Sequence, residues 1–186
     1  MLPITLDISD ARIVLAGEGL AAVRRLRYLE SGGAGNLAIY SPHPGPELLE
    51  AAGSRLSERL PGDSDMSGAR LVFVAGLDYA PSETIAIAAR RQGALVNVED
   101  VIGLCDFHTP AVVRRGDLVL SVATGGKSPG LARMMRAYLD ERIGPEWEER
   151  LDLLARERER WYADGLRGSE VSKRTRDLIE RNGWLS

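Results

Sequence analysis

Three short runs gather the residues best able to do chemistry: Asn97-Val98-Glu99-Asp100, Cys105-Asp106-Phe107-His108 and Thr124-Gly125-Gly126-Lys127-Ser128-Pro129. A carboxylate at Asp100 can take a proton as a hydride leaves a substrate, or meet an incoming metal ion. The plainer reading of one aspartate in such a place is a helix cap or turn former. Backbone amides of the Thr124–Ser128 loop, with Lys127, suit a carboxylate ligand. The glycine-to-lysine spacing there is not that of a P-loop. Arg114, Arg115, Arg133 and Arg136 flank the loop; together they suit a basic patch for a polyanionic substrate, while each taken alone reads as a solvated arginine. Asp106 and His108 have only His43 as a further histidine, so no zinc-type set is present and no metal site is expected.

Gly17-x-Gly19-x-x-Ala22 follows an apolar run and opens a helical pattern, the context a dinucleotide fingerprint needs. Gly17 allows the tight turn, Gly19 lets a pyrophosphate approach the backbone, and Ala22 lets the helix pack closely. The alternative is a tight turn without a ligand. After the second strand, where an acidic residue usually meets the adenosine ribose, the chain reads Tyr40-Ser41-Pro42. No arginine stands there for a 2′-phosphate, so NAD is the expected cofactor.

These residues need a scaffold, and the hydrophobic pattern supplies one. Residues 11–16, 37–40, 71–75 and 95–98 are short apolar runs of the buried parallel type. Helical patterns over 20–30, 47–60 and 82–92 separate them. This alternation predicts a Rossmann-like parallel sheet with right-handed crossovers. Asp100 then falls just beyond the carboxyl end of a strand, where ligands of open α/β sheets bind.

Residues 109–113 and 118–123 read as two further strands, added to the sheet or forming a small second layer. A helix is expected over 130–143, and a charged helical tail follows Pro145. The expected division is a cofactor-binding domain over 1–112, a small αβ dimerisation and substrate region over 113–145, and a helical domain over 146–186.

The chain has 186 residues, 44% of them hydrophobic, so a packed core is affordable. A net charge of −3 argues against a general nucleic-acid or membrane-surface binder. One cysteine cannot form an internal disulfide, and no leader or spanning segment is seen, so the cytoplasm is expected.

Taken together, the motifs resemble the precorrin-2 dehydrogenase / sirohydrochlorin ferrochelatase family, the N-terminal module of siroheme synthases. The resemblance runs from Leu2-Pro3-Ile4 through Gly17-Glu18-Gly19, Leu71–Ala75, Asn97–Asp100 and Cys105–Ala111 to Thr124–Arg133. It implies NAD-dependent oxidation of precorrin-2 to sirohydrochlorin, with ferrous iron insertion in some members. It implies that Asp100 is catalytic. It implies cofactor contacts at Gly17, Glu18, Gly19, Leu20, Ala21, Ser41, Pro42, Gly76, Asn97 and Val98. It places the carboxylate-bearing tetrapyrrole at Thr124, Gly125, Gly126, Lys127 and Ser128, and it implies an intertwined homodimer. The family commonly has Gly where Glu18 stands, and Thr-Asp-Asp where Gly76-Leu77-Asp78 stands; its following Asn is Ser82. No methyltransferase domain is expected in a chain of this length. The alternative is a non-catalytic protein on the same fold that only carries tetrapyrrole or metal.

Overall fold

The computed structural model describes residues 2–185 and divides into two compact units, 1–109 and 110–186. The first unit is a five-stranded parallel sheet. Its strands are β1 (Arg12–Gly17), β2 (Asn36–Tyr40), β3 (Leu56–Ser57), β4 (Leu71–Ala75) and β5 (Leu95–Val98), in the order β3-β2-β1-β4-β5. The fold is the Rossmann-like α/β arrangement that the alternation predicts.

Both faces of the sheet are buried, and alternating side chains feed the two sides. Ile13, Leu15, Leu37, Ile39 and Phe73 pack under α1 (Gly19–Ser31) and α2 (Pro46–Ala52), against Ala22, Leu26, Leu29 and Leu48. Val14, Ala16, Val72, Val74 and Val96 pack on the other side, against Ile85, Ala86 and Ala89 of α3 (Tyr79–Arg91). The chain leaves β1 toward β2 and leaves β4 toward β5. The switch point of the sheet therefore lies between β1 and β4.

The helix expected over 47–60 is corrected by the structure. It stops at Ala52, because Gly53 turns the chain at φ 54°, a conformation glycine adopts without Cβ strain. The released chain then adds β3 to the sheet edge beside β2.

In the second unit, β6 (Ala111–Arg115) and β7 (Leu118–Val122) form a separate antiparallel hairpin. Its two-residue loop begins with Gly116 at φ 55°, as a tight hairpin turn demands. Arg115 ties the hairpin to α4 (Pro129–Arg142) and to the residue after it: it donates to the Asp140 carboxylate at 2.8 Å and to the Ile143 carbonyl at 2.7 Å. The charged tail forms α5 (Trp147–Ala163) and α6 (Ser169–Arg181). Trp147 and Trp184 meet edge-on at 6.4 Å, with the Arg150 guanidinium over both rings.

Candidate active site

The first turn of the site is built by close backbone packing. Gly17 ends β1 with no room for a side chain, since a Cβ would strike the Ala75 carbonyl. The Glu18 N–H donates to that same carbonyl at 3.0 Å, pinning the β1 turn to the β4 turn at the switch point. Gly76 lies against the Glu18 backbone in the same way, at φ 73°. Gly19 differs from both: it is exposed, at φ 59°, with open space where a Cβ would stand.

Open backbone donors follow. The first N–H to pair within α1 is that of Ala22, which donates to Glu18 O at 3.3 Å. The amides of Gly19, Leu20 and Ala21 precede it at the positive end of the helix dipole. At the end of β2, Ser41 Oγ is fully buried and has no hydrogen-bond partner among the described residues. A bare glycine turn, helix amides unpaired among the described residues and an orphaned buried hydroxyl fit a pyrophosphate and a ribose. Pro42 follows Ser41 at the mouth of the same turn.

Asp100 stands beyond the C-terminal end of β5, exposed, at φ 61°. It is the one non-glycine residue with positive φ among the described residues, and such strain collects at functional positions. The neighbouring chain holds it there. Glu99 N–H donates to Val74 O at 2.9 Å, and Asp106 N–H to Val96 O at 2.8 Å. The Cys105 thiol donates to Val98 O at 3.1 Å and accepts from Val98 N–H at 3.3 Å.

Asn97 is buried and its amide donates to Phe107 O at 2.9 Å, so its side chain braces the loop that follows β5. Asp106 is likewise committed. Its carboxylate binds Arg90 at 3.0 Å and accepts from Val96 N–H at 2.9 Å. Among the described residues, no three His, Cys, Asp or Glu side chains come together as a metal cluster.

One participant escaped the sequence reading. Arg25 of α1 is largely buried beneath this edge. It donates to Thr109 Oγ1 at 3.1 Å, faces Glu99 at 3.9 Å and lies 5.4 Å over the Phe73 ring. Burial pushes its guanidinium pKa down, while Glu99, and more weakly Asp100, pull it back up. The signal was present: Arg25 falls between Ala22 and Leu29 at the i+3 and i+4 spacing of the buried stripe.

The Thr124–Ser128 residues belong to the second unit. Gly125 and Gly126 take φ 65° and 76°, and Lys127 is exposed. Thr124 Oγ1 donates to Ser128 O at 3.1 Å and closes the loop on itself. Ser128 Oγ caps α4 by accepting from Leu131 N–H at 3.2 Å. Gly17, Glu18, Gly19, Leu20, Ala21, Ser41, Pro42, Gly76, Asn97, Val98 and Asp100 all lie along the carboxyl edge of the one parallel sheet.

Comparison with known proteins agrees with this geometry. A family model described as "Putative NAD(P)-binding" matches residues 4–111. A siroheme synthase from Methylococcus capsulatus is 37% identical over 161 residues, covering 86% of this chain and 34% of that protein. One from Nitrosospira multiformis is 38% identical over 149 residues, covering 76% and 31%. The chain thus spans about a third of the length of these relatives. A solved structure of SirC, precorrin-2 dehydrogenase, superposes with a TM-score of 0.81 at 22% identity, covering 100% of this chain and 93% of that one. That likeness shows the fold.

Proposed function

The chain belongs to the precorrin-2 dehydrogenase / sirohydrochlorin ferrochelatase family of NAD(P)-binding proteins, and from that premise we propose that it oxidises precorrin-2 to sirohydrochlorin with NAD. The observation that carries the reading is Asp100, an exposed carboxylate in a left-handed conformation at the carboxyl edge that also bears the Gly17–Gly19 turn. Bound nicotinamide supplies the hydride acceptor. Asp100 receives the proton that the substrate macrocycle releases as it loses that hydride, so charge and atoms balance. Gly19, Leu20 and Ala21 hold the pyrophosphate through backbone amides, with Ser41 and Pro42 on the ribose side. Lys127 and the Gly125-Gly126 amides take carboxylates of the tetrapyrrole.

Ferrous iron is a candidate second substrate, inserted into sirohydrochlorin once it is formed. Residues 1–112, 113–145 and 146–186 serve as cofactor-binding, dimerisation and helical parts. Homodimer formation is supported by α4, which has no buried residue and exposes Leu131, Met134, Met135 and Tyr138. No described helix is long and apolar enough to cross a membrane. We place the protein in the cytoplasm, with no nucleic-acid or membrane partner.

Anaerobic incubation with precorrin-2 and NAD, following NADH and sirohydrochlorin absorbance, tests the reading. Oxidation that needs both protein and NAD supports it. Tetrapyrrole binding without oxidation by NAD or NADP favours a non-catalytic carrier instead. Adding ferrous ion and comparing with a protein-free control tests insertion.

A further inference from the structure

The end of β2 lacks the carboxylate that ordinarily selects a ribose hydroxyl, yet the structure supplies one from the opposite side of the gap. β1 and β2 are parallel neighbours with Ala16 beside Tyr40, so the turns that follow them start level. Glu18 leaves the first turn and His43 leaves the second. Their side chains meet, with His43 Nδ1 3.0 Å from Glu18 Oε1. The carboxylate therefore lies across the space between the two turns. Glu18 occupies the N-cap position of α1 but makes no capping bond with its side chain. His43 engages one carboxylate oxygen, and the other has no partner among the described residues.

The Asp65–Arg59 pair next to β2 is already engaged. Asp65 accepts from Arg59 at 2.6 and 2.9 Å, from Gly62 N–H at 2.7 Å and from the Tyr40 hydroxyl at 3.1 Å. Arg59 is thereby held on Asp65, with its guanidinium 5.1 Å over the Tyr40 ring. The turn Ser41-Pro42-His43-Pro44-Gly45-Pro46 carries no lysine or arginine, and its three prolines stiffen the position of His43.

We propose that Glu18, steadied by His43, is the specificity-determining carboxylate that accepts a hydrogen bond from the adenosine ribose of NAD and turns away the 2′-phosphate of NADP. A ribose hydroxyl donating to a carboxylate makes a charge-assisted bond. A 2′-phosphate brings a second anion to the same spot, with no free cation in the turn to offset it. The inference rests on the dinucleotide reading of the site. It concerns Glu18, where the resembled family commonly has glycine.

Direct binding tests it without any turnover. NADH and NADPH fluorescence is titrated with the purified protein and with Glu18→Gln. The wild type is expected to bind NADH at least about tenfold more tightly, and Glu18→Gln to bring the two within about threefold. The ratio is the readout, because the loss of a ribose bond and the relief of repulsion from the pyrophosphate act in opposite directions on the NADH affinity alone, whereas the pyrophosphate is common to both ligands. Adenosine 5′-monophosphate and adenosine 2′,5′-bisphosphate, competed against NADH on the wild type, give the same discrimination with no variant. A ratio unmoved by Glu18→Gln, or equal affinities in the wild type, overturns the proposal and leaves dinucleotide binding standing. Failure of the wild type to bind either dinucleotide overturns both.

Discussion

Arg25 and Glu99 face each other at 3.9 Å beneath the turn that carries Asp100. The arginine is the more buried partner, with side-chain exposure of 11% against 28%. An arginine is drawn so far inside only when several partners hold it, and here Thr109, Phe73 and Glu99 share that task. Replacing it with an apolar chain strands the Glu99 carboxylate. Arg25→Met is expected to lose about 2 kcal/mol of stability, and Glu99→Gln less than half of that. Urea denaturation of the two variants measures both. Equal losses would show that Glu99, not the arginine's other contacts, carries the effect.

Asp100 pays a conformational cost that separates its two roles. A non-glycine residue at φ 61° is strained by about 1 kcal/mol, which glycine does not feel. Asp100→Gly should therefore be more stable than Asp100→Ala by about that amount. Both should lose precorrin-2 oxidation while still binding NADH. Thermal unfolding and the oxidation assay, run side by side, check this. A variant lacking the carboxylate but turning over at the wild-type rate would remove Asp100 from the mechanism.

Much of this edge could be read from the chain because each signal was local. Apolar runs mark β1, β4 and β5, and glycines mark the turn after β1. β3 was hidden because it has two residues and gains its identity only by pairing with β2. A single glycine at 53 was too slight a break in a helical pattern to reveal it. Arg25 was hidden for the opposite reason. Its neighbours Arg24 and Arg27 look like a solvated face, and only the packed stripe distinguishes it. Asn97 reads as a cofactor contact and Asp106 as a partner of His108, whereas in the fold both side chains brace the chain after β5. Their partners, Phe107 and Arg90, lie 10 and 16 positions away and are joined to them only by the fold.

Asp65 should control part of the acid branch of stability. Bonds from Arg59, Gly62 and the Tyr40 hydroxyl hold its carboxyl well below the ordinary carboxylate range, Arg59 contributing most. A depressed folded-state pKa means the stabilisation is complete above the unfolded value of about 4 and fades as pH falls below it. Asp65→Asn removes that contribution. The stability gap between wild type and Asp65→Asn should be constant from about pH 7 to pH 5 and shrink toward pH 3. Urea midpoints across that range measure it. A gap that widens on acidification would have the wrong sign for a stabilised carboxylate.

Gly17 and Gly19 flank the same residue yet should fail differently. A Cβ at Gly17 meets the Ala75 carbonyl, a backbone atom fixed by the β1–β4 pairing and already accepting from Glu18 N–H. Gly17→Ala must push two central strands apart and should cost at least about 2 kcal/mol. A Cβ at Gly19 meets nothing, so only its left-handed φ is penalised, at about 1 kcal/mol. That empty space is where a pyrophosphate would approach the α1 amides. Gly19→Ala should therefore keep the fold, with a native circular dichroism spectrum and a modest drop in melting temperature. Its NADH affinity should fall by about tenfold or more, because the methyl group stands where the ligand approaches. If Gly19→Ala binds NADH as the wild type does, the dinucleotide does not lie on this turn.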